Sequence, residues 1–401
     1  MKVLQINSFF TVGGPPRIMN GIYDTLIENG FECKIAAARE KMYVPEDSYR
    51  ICSDTEVKTN ALKARLFDNE GFNATRETQR LVEYIKFYDP DIIHLHNLHG
   101  YYINIEILFD YLQKVNKPVV WTLHDCWTFT GHCAYFDAVG CNQWKTKCVD
   151  CKQLKTYPIC FGKGRVRKNF DLKKNNFLGL KNLTFVTPSA WLAKYVRESF
   201  LGVYPVQVIH NGISLEQFHP ISGSFVEQHK LEKKKIILGL AQVWNERKGY
   251  DDFLKLAGIL GPDYQVVMVG LTKKQVESLP DSIIGITRTN NIMELVDIYT
   301  ASDVFVNFTY EDNFPTVNIE ALACGTPVLT YRTGGSPEAI DDTCGWVVEQ
   351  GDVEESANII QNMKDKSLYT RACIERSHLF DRKERYLEYI KLYHELLGEK
   401  E

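Results

Sequence analysis

Short runs rich in Val, Ile and Phe alternate along this chain with amphipathic stretches about three turns long. That alternation constrains the fold strongly, because strands joined through helices run in one direction and form a parallel sheet. In the first half the runs cover residues 3–6, 34–37, 92–95, 119–123, 183–186 and 206–209; in the second they cover 236–240, 265–269, 283–286, 304–308 and 328–331. Helical stretches between them include 16–28, 103–115, 190–200, 250–260, 292–301 and 315–324. The series restarts after a polar segment, 211–235, which carries Asn211-Gly212, Pro220 and Gly223, the chemistry of turns. The pattern predicts an α/β chain of two Rossmann-like domains. Residues 1–210 form the first, with a cysteine-rich insertion at 126–160, and residues 211–380 form the second. Residues 381–401 read as a lone charged helix, with Tyr386, Tyr389, Ile390, Tyr393 and Leu396 near helical spacing, expected to pack back on the first domain.

The 401 residues are 44% hydrophobic and 24% charged, the balance of a soluble globular protein. A net charge of −4 gives no global field for nucleic acid. No apolar run approaches the roughly 20 residues that span a bilayer. Met1-Lys2-Val3-Leu4-Gln5-Ile6-Asn7 reads as a first strand rather than a leader. The expectation is a cytoplasmic protein whose 11 cysteines are not disulfides.

Ligands of open parallel sheets bind beyond the carboxyl ends of the strands. Gly13 and Gly14 follow the first strand, His94, His96, Asn97 and His99 end or follow the third, and His124 and Asp125 end the fourth. In the second domain Arg247 and Lys248 follow the first strand, Asp312 the fourth, and Gly334 and Gly335 the fifth. Two such edges facing each other make a cleft. Around 312–325, Pro315 is favoured at the first position of a helix, and Gly325 with Pro327 stops it. The helix start at Phe314, Pro315 and Thr316 suits a phosphate through its dipole and its amides, although Pro315 itself lacks an N–H to donate. Glu320, one turn inside, suits two adjacent hydroxyls.

These residues resemble family 4 retaining glycosyltransferases, whose fold is GT-B: two Rossmann-like domains facing across a cleft. Asp312-x7-Glu320-Ala321-x2-Cys324-Gly325-Thr326-Pro327-Val328 is similar to the family's E-x7-E region. Gly13-Gly14 resembles its Gly-rich loop, and Thr122-Leu123-His124-Asp125 its T-x-H-D strand end. Val208-Ile209-His210-Asn211-Gly212-Ile213 resembles its linker, and Lys248-Gly249 its phosphate motif. The resemblance implies that Arg247 and Lys248 hold the donor pyrophosphate, Glu320 the ribose, and Asp312 and His124 the donor sugar. Gly13 and Gly14 would let the backbone approach the substrate closely. It also implies transfer from a UDP- or GDP-sugar with retention and without a catalytic metal. The acceptor would be a glycan, expected to be lipid-linked, in surface polysaccharide biosynthesis. The chain departs from the pattern at Asp312, usually Glu; at Pro315, usually Gly; and at Val243, where Arg is frequent.

Cys133-x7-Cys141-x6-Cys148-x2-Cys151 follows His124, and four thiolates with one C-x2-C pair suit a tetrahedral zinc. Cys126, Cys160 and His132 are spare candidates. The insertion resembles that of family 4 enzymes of capsule and exopolysaccharide assembly. Residues 152–174 carry eight basic residues, Lys152, Lys155, Lys163, Arg165, Arg167, Lys168, Lys173 and Lys174, interleaved with Tyr157, Phe161 and Phe170. Such a face suits anionic lipid at the inner surface of a membrane as well as plain solvation. Two other function classes fit the same architecture: a nucleotide-sugar epimerase and a non-catalytic nucleotide-sugar-binding protein.

Overall fold

The computed structural model describes residues 1–11, 13–40 and 48–399, so the last two residues of the 381–401 segment lie outside it. The chain divides into two compact units, residues 1–210 with 385–401, and residues 211–384. Each unit is an α/β layer built on one parallel sheet.

The first unit holds β1 (Lys2–Phe9), β2 (Glu32–Arg39), β3 (Tyr49–Arg50), β4 (Ile92–Leu95), β5 (Val119–Thr122), β6 (Leu183–Thr187) and β7 (Val206–Val208). Their order is β3-β2-β1-β4-β5-β6-β7, so the winding reverses between β1 and β4. Side chains alternate across the sheet. Leu4, Ile6, Ile93, Leu95 and Trp121 enter a large core on one face. Val3, Ile92 and Val120 enter a second core on the other, where the helix Gly14–Glu28 contributes Ile18, Ile22 and Leu26. That second core is completed by Tyr386, Tyr389, Ile390 and Tyr393 of the helix Arg382–Leu397.

The second unit holds β8 (Lys235–Leu240), β9 (Tyr264–Val269), β10 (Ile283–Ile286), β11 (Val304–Asn307), β12 (Val328–Tyr331) and β13 (Gly345–Val348). Their order is β10-β9-β8-β11-β12-β13, and the winding reverses between β8 and β11. Leu238, Val267 and Phe305 face one core, and Ile237, Val266 and Val304 the other. Two strands escape the sequence pattern. Tyr49–Arg50 has two residues, and Gly345–Val348 opens on a glycine directly after a turn.

Candidate active site

The reversal points place the candidate residues. In a doubly wound sheet the two loops leaving the strands on either side of the reversal part to opposite faces and open a crevice between them. In the second unit those loops follow β8 and β11, and they carry Arg247-Lys248 and residues 309–312.

Asn245 starts a short turn over Glu246–Lys248, its side chain accepting from the Lys248 amide at 3.2 Å. The turn is then strapped to the loop after β11. Tyr310 N donates to Arg247 O at 2.8 Å, and the Arg247 guanidinium donates to Glu311 O at 2.8 Å. Lys248 Nζ pairs with Asp312 Oδ2 at 2.6 Å and reaches Thr309 Oγ1 at 3.4 Å. Both side chains of the pair are about one-fifth exposed, so a ligand can compete for them. Gly334, after β12, supports the same loop. Its φ is +53°, and a Cβ there would lie 1.7 Å from Asp312 O. No side chain fits that position.

The helix Thr316–Ala323 starts one residue later than the sequence suggests, with Pro315 as its N-cap. As the N-cap, Pro315 lacks one of the free N–H groups of the helix start, and the amides that remain in the helix begin at Thr316. Phe314 and Pro315 are buried, and Thr316 is partly exposed. Glu320 is buried, with Oε2 accepting from Tyr299 OH at 3.1 Å and Oε1 facing Thr316 Oγ1 at 3.4 Å. Sequence reasoning missed the network that fixes this helix. Asn307 donates to Asn318 at 2.8 Å, Asn318 donates to Ser336 Oγ at 3.0 Å, and Ser336 pairs with Thr330 at 2.7 Å. Its signal was polar residues on otherwise apolar strands, Asn307 in β11 and Thr330 in β12.

In the first unit the reversal lies between β1 and β4. Gly13, at the N-cap of Gly14–Glu28, has φ 107° and ψ 178°, which L residues rarely adopt. Gly14 is exposed. His124 is half-buried and pairs through Nε2 with His96 Nδ1 at 3.0 Å. Burial lowers His124 to about 4, Asp125 pulling upward and His99 downward. His94 and His96 are not lining residues of a sheet edge, as the sequence suggests. They are fully buried, and burial lowers His94 to about 3. His99 is also buried, with Nε2 at 2.7 Å from Asp125 Oδ2 and Nδ1 at 2.7 Å from Tyr157 OH.

The four cysteines assigned to zinc are free thiols; Cys133 and Cys148 are buried, and Cys141 and Cys151 are half-buried. Cys133 and Cys151 are hydrogen-bonded to each other. Cys148 accepts from the Gly131 amide and Cys151 from the Gln153 amide. Beside them His132 pairs through Nδ1 with Asp68, and its Nε2 is buried without a hydrogen-bond partner. Among the described residues, no group of three or more His, Cys, Asp or Glu side chains is arranged to hold a metal ion.

The basic segment divides. Lys152, Lys155, Lys163, Arg167, Lys168 and Lys174 are exposed, and Arg165 is partly so. Lys173 and Phe170 correct the sequence reading, because both are buried. They lie on the inner face of the helix Val166–Phe177, with Val166 and Phe177. Among the described residues no helix is long and apolar enough to cross a membrane.

Comparisons with known proteins agree with this architecture. Residues 12–217 match the family model described as Glycosyltransferase Family 4, and residues 223–379 match Glycosyl transferases group 1. The chain is 24% identical over 384 residues to the colanic acid biosynthesis glycosyl transferase WcaC of Escherichia coli (strain K12), covering 91% of this chain and 90% of that one. Sucrose-phosphate synthase from Thermosynechococcus elongatus superposes with a TM-score of 0.73 at 19% identity, over 99% of both chains. Anabaena Alr3699/HepE in complex with UDP-glucose superposes with a TM-score of 0.67 at 13% identity, over 98% of this chain and 99% of that one. Both structures share the fold, two parallel-sheet Rossmann-like units of GT-B type.

Proposed function

This chain belongs to glycosyltransferase family 4, and from that premise we propose that it moves a sugar from a UDP- or GDP-sugar onto a glycan of a surface polysaccharide, with retention at the anomeric carbon. The observation that carries the reading is the strapped pair of loops in the second unit. Lys248 and Arg247 stand at the sheet's reversal point, with Asp312 on the partner loop and the start of Thr316–Ala323 following it. The pyrophosphate of the donor is the natural competitor for Lys248, since its two phosphates together carry more charge than the single carboxylate it would displace. Two cations and the amides of a helix start offset charge growing on a departing nucleoside diphosphate. Glu320, its second oxygen held by Tyr299, is oriented to accept from ribose hydroxyls. Asp312, released from Lys248, becomes an acceptor for a sugar hydroxyl. His124 is assigned to a sugar hydroxyl as well, and Gly13 and Gly14 to close approach of substrate to backbone. No step is assigned to a catalytic metal.

The relatives support the polysaccharide setting, through the colanic acid role in the name of WcaC, and the donor class, through the UDP-glucose bound by HepE. The test is incubation with labelled UDP- and GDP-sugars, with and without a bacterial lipid extract. Label moving into the lipid fraction with release of nucleoside diphosphate supports a transferase with a lipid-linked acceptor. A new sugar isomer from donor alone makes the protein an epimerase. Saturable nucleotide binding without turnover makes it a binding protein.

Two further parts belong to the same reading. The donor chemistry of Cys133, Cys141, Cys148 and Cys151, with amide donors on two sulfurs and the bare Nε2 of His132 beside them, suits a structural zinc. These side chains are not gathered as ligands, so no step is drawn through the metal. Elemental analysis of untagged protein decides it: about one zinc per chain supports the site, and a folded, zinc-free protein removes it. The basic segment is assigned to anionic lipid at the inner face of the membrane, near a lipid-linked acceptor. Phe161, 69% exposed, lies beside the helix Asp54–Phe67, its amide bonded to Arg65 O at 2.7 Å. Phe67, 60% exposed, ends that helix. Exposed apolar groups with lysines suit a lipid surface, each lysine contributing about 1 kcal/mol. Co-sedimentation with anionic but not neutral liposomes is the expected result. Equal recovery with both would exclude it.

A further inference from the structure

The face of the first sheet that carries Gln5, His94, His96 and Thr122 holds a chain of hydrogen bonds ending at His124. Gln5 of β1 lies opposite His94 of β4 in the parallel register. The Gln5 Nε2 amide points at two acceptors, Met19 O at 3.1 Å and Cys33 Sγ at 3.6 Å. Turning the amide over would set Oε1 against the Met19 carbonyl, so Oε1 faces the other way, 3.0 Å from His96 Nε2. Gln5 Oε1 only accepts, so His96 Nε2 carries a hydrogen. His96 is buried to 1% exposure, and burial, with His94 and His124 beside it, keeps it neutral by lowering it well below the ordinary histidine value. A neutral ring with its hydrogen on Nε2 presents Nδ1 as an acceptor. The group 3.0 Å from that Nδ1 is His124 Nε2, which must therefore donate.

We infer that Gln5 and His96 are positioning residues that fix the tautomer of His124, so that its hydrogen stays on Nε2 and its Nδ1 accepts. The group that meets Nδ1 must then be a donor. A neutral sugar hydroxyl satisfies it, and a carboxylate or phosphate oxygen is repelled. On the reading that His124 meets a sugar, this selects a hydroxyl-bearing sugar over an acidic one at that contact.

A second, separately anchored chain provides an internal reference. Tyr393 OH lies 2.7 Å from His94 Nδ1, and His94 Nε2 lies 2.8 Å from Thr122 Oγ1, which donates to Tyr389 OH at 3.2 Å. Thr122, having donated, accepts from His94 Nε2. His94 therefore has the same tautomer for reasons that do not involve Gln5.

The test is the two-bond proton–nitrogen spectrum of the full chain, labelled with 15N at histidine, ligand-free and at neutral pH. Resonances are assigned with His94→Asn, His96→Asn and His124→Asn. The expected result is an unprotonated Nδ1 and a protonated Nε2 at all three rings. Gln5→Met keeps the shape of the side chain and removes the acceptor. It should move His96 and His124 together to a mixture of tautomers and leave His94 unchanged. A proton on His124 Nδ1 in the unaltered protein overturns the inference, and needs no variant to fold. So does a His124 signal that Gln5→Met leaves alone, or a change that His94 shares. No donor sugar enters the experiment, so its failure is distinct from failure of the transferase reading.

Discussion

Lys173 has its ammonium inside the first unit, donating to Trp127 O at 2.6 Å and Thr130 O at 3.1 Å, and lying 3.4 Å from the Trp127 ring centre. Burial lowers it to about 7 from 10.5, with Cys133, Cys148, Asp68 and Asp125 pulling the other way. Between those two values the unfolded chain keeps a proton that the folded chain has released. Stability should therefore rise with pH across that window, by up to about 1.4 kcal/mol per pH unit. In Lys173→Met this rise should disappear, read as the difference in Tm between pH 7 and pH 9 against the unaltered protein. An equal difference in both would contradict it. The burial was legible in part. Val166, Phe170, Lys173 and Phe177 are spaced by four, three and four residues, the signature of one helix face, but the basic residues around Lys173 read as surface. Lys248 and Asp312 were legible as residues and not as a pair, since a separation of 64 positions gives no hint of contact.

The helix Arg382–Leu397 shows what an element adds that its own sequence only suggests. Its aromatic spacing marks a buried face, and that face covers Val3, Ile18, Ile22 and Leu26 of the first unit. It also supplies the hydroxyls that hold Thr122 and His94. Ending the chain at Glu384 removes five large buried side chains, Tyr386, Tyr389, Ile390, Leu392 and Tyr393, each worth about 1.5–3 kcal/mol, against a typical domain stability of about 5–15 kcal/mol. The expected product is a first unit that is unfolded or insoluble, judged by limited proteolysis. A soluble, protease-resistant product would contradict the assignment. At the helix Thr316–Ala323 the sequence located the element and misplaced its start by one residue: proline is favoured at the first helical position, but here its fixed φ of −72° joins a ψ of 113°, the extended backbone of a cap. Tyr49–Arg50 escaped because two residues give no alternation to read, and Gly345–Val348 because it opens on a glycine directly after a turn.

At the scale of the molecule, the alternation of apolar runs and amphipathic stretches was enough for two parallel sheets. It could not give strand order, which depends on where each winding reverses. That order decides function, because it brings the loop of Arg247-Lys248 against the loop of Asp312 from a distant part of the sequence. The buried polar network behind Glu320 could not be assembled from the sequence for a related reason: Asn307, Asn318, Thr330 and Ser336 come from four separate elements, and only the fold joins them. The account's central claim is that this second unit grips the nucleoside diphosphate of a sugar donor. Calorimetric titration with UDP and with GDP, on the unaltered protein, Lys248→Met and Glu320→Gln, tests it most directly. One nucleotide should bind the unaltered chain, and each substitution should weaken it by roughly ten- to hundred-fold, about 1.4–2.8 kcal/mol. Binding of neither nucleotide, or equal affinity in all three proteins, would contradict the account.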